Sequence, residues 1–65
     1  MTTTTYTLKA HLDAGHDMSL VQLTMVAQTV AQATIGFHEA MAQLGFKRSD
    51  YGAVHWLYVG KWIVA

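Results

Sequence analysis

The chain contains no cysteine, which excludes disulfide staples and every thiolate metal site and says nothing about redox compartment. Charge is also scarce. Lys, Arg, Asp and Glu make up 12% of the 65 residues, four basic against four acidic, for a formal net charge of zero. A soluble domain ordinarily carries about 25%. Four dispersed cations, Lys9, Lys47, Arg48 and Lys61, are a poor basis for neutralising nucleic-acid phosphates. No run of about 18 apolar residues occurs, so no membrane-spanning helix is expected. The first residues, Met1 to Tyr6, have neither a basic start nor an apolar run. They are not read as a secretory signal, and a cytoplasmic setting is the default expectation. Walker and dinucleotide-type glycine loops are missing as well.

What is present is apolar, at 52% of residues. A chain this short forms one domain over 1–65 and buries only about 60% of its unfolded surface. Small domains commonly add disulfides, metal or oligomerisation. With the first removed, oligomerisation is the stabiliser to look for.

Tyr6, Leu8, Ala10 and Leu12 alternate with Thr5, Thr7, Lys9 and His11, the period of a half-buried strand. Asp13-Ala14-Gly15-His16 then reads as a turn. The stretch from Asp17 to Phe46 reads mostly as one long helix. Ser19 and Gln22 fit a capping box, and Asp17 suits the dipole at a helix start. Leu23, Val26, Val30, Ala33, Phe37, Met41 and Leu44 fall within about 80° of one another at 100° per residue, a core stripe. Gly45 fits the left-handed position after the helix, with Phe46 folding back on Met41 in a Schellman ending. About 25 helical residues would span roughly 37 Å against about 27 Å for the strand. The helix should therefore overhang the sheet or bend at Gly36.

Residues 47–52 read as a polar loop. Val54–Val59 and Trp62–Ala65 read as two strands joined by Gly60-Lys61 in a type II′ turn. In that register Val59 faces Trp62, Leu57 faces Val64 and Tyr58 faces Ile63. A second helix over 49–63 is the rival, opposed by two glycines and by the density of Val, Ile, Trp and Tyr. The fold class expected is α+β: a two-layer β-α-β-β sandwich with one long helix on a three-stranded antiparallel sheet of order 1-3-2.

Few constellations could carry chemistry. The four histidines, His11, His16, His38 and His55, form no His-x-x-x-His or His-Glu-x-x-His pair. A metal site would need three or four of them to converge. Ser19 and Ser49 lack a base and an orienting acid. No enzyme activity and no cofactor is expected.

The apolar surplus is the stronger signal. After Asp17 the expected helix carries one formal charge, Glu39, where a solvated face would be laced with Lys and Glu. Away from its core stripe it presents Val21, Met25, Gln28, Gln32 and Ile35. The hairpin presents Leu57, Val59, Trp62 and Val64 on one face, and Val54, Trp56, Tyr58 and Ile63 on the other. One helix covers one face, and exposed apolar aromatic patches mark interaction sites. The reading is a non-enzymatic homodimer that binds another protein, an accessory or inhibitor protein of the kind mobile elements encode. Its interaction residues are Val21, Met25, Gln28, Gln32, Ile35, Trp56, Tyr58 and Ile63. Two alternatives stand beside it. One is a dimeric nucleic-acid binder using Lys47, Arg48 and Lys61. The other is histidine metal binding across a dimer.

Overall fold

A computed structural model of the chain describes residues 2–12 and 20–65. Strand β1 (Thr4–Leu12) leads to β2 (Leu20–Ala27), helix α1 (Val30–Gln43), a single 3-10 turn (Arg48–Asp50), β3 (Tyr51–Tyr58) and β4 (Lys61–Val64). All pairings are antiparallel and the sheet order is β2-β1-β3-β4. The α+β class with one helix on an antiparallel sheet therefore holds. Two parts of the expectation do not: the sheet has four strands rather than three, and β3, not β4, lies next to β1.

The extra strand comes from the first half of the stretch read as helix. Val21, Leu23, Met25 and Ala27 turn toward α1, while Gln22, Thr24 and Val26 turn away. Leu23, Val26 and Val30 also satisfy the three-and-four spacing of a helix, so both periods coexist there. Pairing decides between them. Residues 20–27 match β1 residue for residue, from Thr4 opposite Ala27 to His11 opposite Leu20. Apolar side chains of the two strands meet on one face, and β-branched Val and Thr suit the pleat. The expected cap at Ser19, the supporting Asp17 and the turn at 13–16 lie outside the described residues.

The helix starts ten residues later than expected, at a second capping pattern. Thr29 is extended (φ −138°), and its Oγ1 accepts from the Gln32 N–H at 3.2 Å. Gln32 Oε1 accepts in turn from the Gln28 N–H at 3.1 Å. Two backbone donors at the helix start are thus satisfied reciprocally. The ending is as expected. Gly45 takes φ 94°, its N–H donates to Ala42 O, and the Phe46 N–H donates to Met41 O at 2.9 Å, the Schellman pattern. At fourteen residues the helix is about 21 Å long, shorter than the strands it packs on rather than longer.

Ala33, Phe37 and Met41 are the buried part of the stripe and close over Leu8, Ala10, Val21, Tyr51 and Val54. Leu44 is exposed, and Leu23 and Val26 lie on opposite faces of β2. The helix packs over β2 and β1. A bulge brings β3 beneath its edge. Ala10 pairs with Val54 and Leu12 with Tyr51, so Gly52 and Ala53 together face His11. The extra residue puts Tyr51 and Val54 on the same face despite their odd spacing.

The β3–β4 turn also differs. Tyr58 pairs with Lys61, Leu57 with Trp62 and Trp56 with Ile63, so the loop is Val59-Gly60 rather than Gly60-Lys61. Both loop residues have positive φ, 48° and 76°, as in a type I′ turn, whose twist matches that of the strands. The pairing slides by two residues, which leaves the strand side chains on their expected faces and moves Val59 from its expected face into the turn.

Candidate functional site

Because α1 lies over β2 and β1, the β3–β4 hairpin runs beyond its cover. On the helix side Trp56 meets Tyr6 edge-on at 5.9 Å and packs against Tyr58 at a tilt, 5.2 Å between centroids. Trp56 is half-buried, while Tyr58 and Ile63 are 55% and 40% exposed. On the opposite face no layer covers the sheet among the described residues. There Leu57 pairs with Trp62, and Val64 lies beside His55. Lys9 reaches across so that its Nζ sits 4.1 Å from the Trp62 ring centroid, a cation–π contact. Every residue of β4 is exposed. The hairpin is thus apolar and aromatic on both sides, and neither side is closed by the rest of the described chain.

The expected interaction residues separate. Trp56, Tyr58 and Ile63 do gather on one face of the hairpin. Val21 is buried in the core under α1. Met25 is half-buried beside the helix, and a Cβ at Gly36 would stand 3.4 Å from its Sδ. Gln28 and Gln32 belong to the helix cap. Ile35 is exposed on the outer side of α1. The five residues assigned to one helix flank therefore do not form one surface. Their flank was an outcome of reading β2 as helix. Trp62, Leu57 and Val64, on the bare face, belong with the hairpin surface, and their alternation with Trp56 and Ile63 already signals it.

The cations do not converge in one copy. Arg48 Nη1 donates to the carbonyls of Tyr51 at 3.0 Å and Gly52 at 3.3 Å, holding the bulged start of β3. Lys61 stands beside the other end of that strand, about 23 Å away at the usual rise per residue. Lys47 precedes Arg48, and its backbone N–H donates to Asp50 Oδ2 at 2.8 Å. His11 and His55 share the bare face, as diagonal rather than opposed neighbours, since His55 pairs with Lys9. Among the described residues no three His, Asp or Glu side chains group around a metal position, and no pocket is present. None of the helices among them is long and apolar enough to cross a membrane.

One polar cluster was not visible in the sequence. Tyr51 is buried and its hydroxyl lies 2.6 Å from His38 Nδ1. The two rings stack at 5.7 Å, Phe37 meets Tyr51 edge-on, and Arg48 lies over the Tyr51 ring at 5.0 Å. Burial, and then the Arg48 charge, hold the His38 pKa below its usual 6.5. The unfolded chain therefore takes up this proton first. His38 contributes stability in full above about pH 6.5, and loses it as pH falls from there through the lowered folded value. The urea midpoint should drop over that interval and level off below it. His38→Gln should remove this component of the slope; an unchanged slope would mean that burial and the Arg48 charge do not separate the two protonation states.

No protein family, no curated protein and no solved structure matches this chain.

Proposed function

We propose that the protein is a small, non-catalytic protein-binding module that works as a homodimer in the cytoplasm, in an accessory or inhibitory role. The observation that carries the reading is the β3–β4 hairpin, which presents Trp56, Tyr58 and Ile63 on one face and Leu57, Trp62 and Val64 on the other beyond the cover of α1. Aromatic side chains of this kind contribute most of the binding energy at protein interfaces. A contiguous exposed apolar patch on so small a chain is what a docking surface requires. The zero net charge favours association, and a partner bound mainly by apolar contact fits the scarcity of charge.

The test is Tyr58→Asp combined with Ile63→Asp. Both side chains are at least 40% exposed, so the far-UV circular dichroism should be retained. A partner captured by the wild-type protein should be lost by at least tenfold in affinity. Capture of the same partner with equal affinity would remove the hairpin from the interface. Loss of the fold would place both residues in the core.

A further inference from the structure

We infer that two copies of this chain join along β2, edge to edge, in an antiparallel pair that makes one continuous eight-stranded sheet. This deepens the homodimer reading and rests on it.

Strand β2 lies at the end of the sheet. Over Leu20–Ala27 it has eight residues and contains no charge, no proline and no glycine. Its inner side pairs with β1 along its whole length, so alternate N–H and C=O groups point outward. Soluble proteins guard such an edge with lysine, proline, a bulge or a short strand, because an unguarded one recruits other strands. None of these devices occurs in β2. The other edge differs. Strand β4 has four residues and opens with Lys61.

The occupant that fits the β2 edge is β2 itself. An antiparallel pair of identical strands closes on a twofold axis, so assembly stops at two. Eight residues a side give about eight backbone hydrogen bonds, against about four for β4. That number lies within the range of a typical protein interface. The two copies carry no net charge and do not repel.

The helix supplies the second half of the contact. It packs over β2 and β1. An axis centred on that seam stands about 2.4 Å inside β2, and the twofold about 2.4 Å outside it, given the usual strand spacing. The two helices then run about 10 Å apart, the ordinary distance for packed helices. The flank that would meet the partner is the one over Met25, where Gly36 sits. Gln32 and Gln43 lie within about 40° of Gly36 at 100° per residue. Glu39, the acidic residue of α1, stands at the outer margin of this flank, about 60° from Gly36, and Gly36 lets a neighbour approach. The resulting strand order, 4-3-1-2-2′-1′-3′-4′, leaves the two aromatic hairpins at opposite ends, about 34 Å apart. The dimer would therefore be bivalent for its partner.

The absence of cysteine makes the test direct. Thr24→Cys and Val64→Cys each provide one thiol on the bare face, at β2 and at β4. At tens of micromolar, a short bifunctional maleimide should link the Thr24→Cys protein into a species of twice 7.2 kDa and leave the Val64→Cys protein single. Sedimentation should give the same doubled mass for the wild type. Gln22→Lys, Thr24→Lys and Val26→Lys together should weaken the dimer at least tenfold, and Ile63→Lys should not. Linking through Val64→Cys alone would overturn the β2 assignment and keep the homodimer. A wild type that sediments at 7.2 kDa would end both, with binding of another protein by the hairpin still open to its own test. Should the lysine variant unfold, the near-isosteric cysteine variants still decide.

Discussion

Phe37→Ala should leave the protein largely unfolded at room temperature. Phe37 is fully buried and sits at the centre of the buried stripe that joins α1 to the sheet, between Ala33 and Met41. Its ring meets Tyr51 edge-on at 6.2 Å, so it also fixes the residue that β3 contributes to the core. Removing a buried phenylalanine side chain costs about 3–5 kcal/mol. A chain of this length has a total stability of about 3–10 kcal/mol, and the exposed hairpin adds little burial to it. The variant should lose its far-UV signal at 25 °C or melt tens of degrees lower. Phe37→Leu, which refills most of the volume, should lose much less. Ile35→Ala, on the outer side of α1 and 59% exposed, should change stability by less than about 0.5 kcal/mol. A Phe37→Ala protein that melts within a few degrees of the wild type would show that the helix is seated by something other than this stripe.

That stripe was legible in the sequence from Ala33 to Met41, though not at the exposed Leu44, and so was its stop. Glycine at position 45 is the residue type that takes φ 94° without strain, and Phe46 closes the motif. Strand β1 was legible because its alternation is clean. The start of the helix was not, because two capping patterns compete: Ser19 with Gln22, and Thr29 with Gln32. Both read as a serine or threonine three residues before a glutamine. The choice depends on whether residues 20–27 pair with β1, a contact between segments that no local period records. Those residues satisfy spacings of two and of three-and-four at once, so periodicity alone could not separate strand from helix.

The candidate site divides along the same line. Trp56, Tyr58 and Ile63 were grouped correctly because a two-residue slide in a hairpin preserves faces. Val21 and Met25 were misplaced with the helix that does not exist there, and Gln28 and Gln32 turn out to serve the cap. The His38 and Tyr51 contact had no signal. It needs the bulge at Gly52-Ala53 to bring Tyr51 onto the helix side, and a bulge changes parity without marking the sequence. The β2 edge could not be seen either, since an edge is defined by the strand that is missing beside it.

Val59→Asn should stabilise the protein by about 1–2 kcal/mol. Val59 has φ 48°, in the left-handed region where a β-branched side chain is strained. It is 82% exposed, so replacing it forfeits little burial. Asparagine tolerates this conformation, and Asn-Gly is the favoured pair for a type I′ hairpin. In a domain this small each kcal/mol raises the melting temperature by about 4–8 °C. Val59→Gly should gain less, because glycine relieves the strain but also loosens the unfolded chain. Val59→Ala should fall between wild type and asparagine, having lost the branch and kept the Cβ. A Val59→Asn protein that melts at or below the wild type would mean that the turn is not the one described. The gain bears on binding as well. The turn sets the register that puts Trp56 opposite Ile63 and Leu57 opposite Trp62, and these pairs form the two apolar faces of the hairpin. A turn that populates its native geometry more fully presents those faces ready-made, so under the proposed function the same substitution should tighten partner binding without adding a contact.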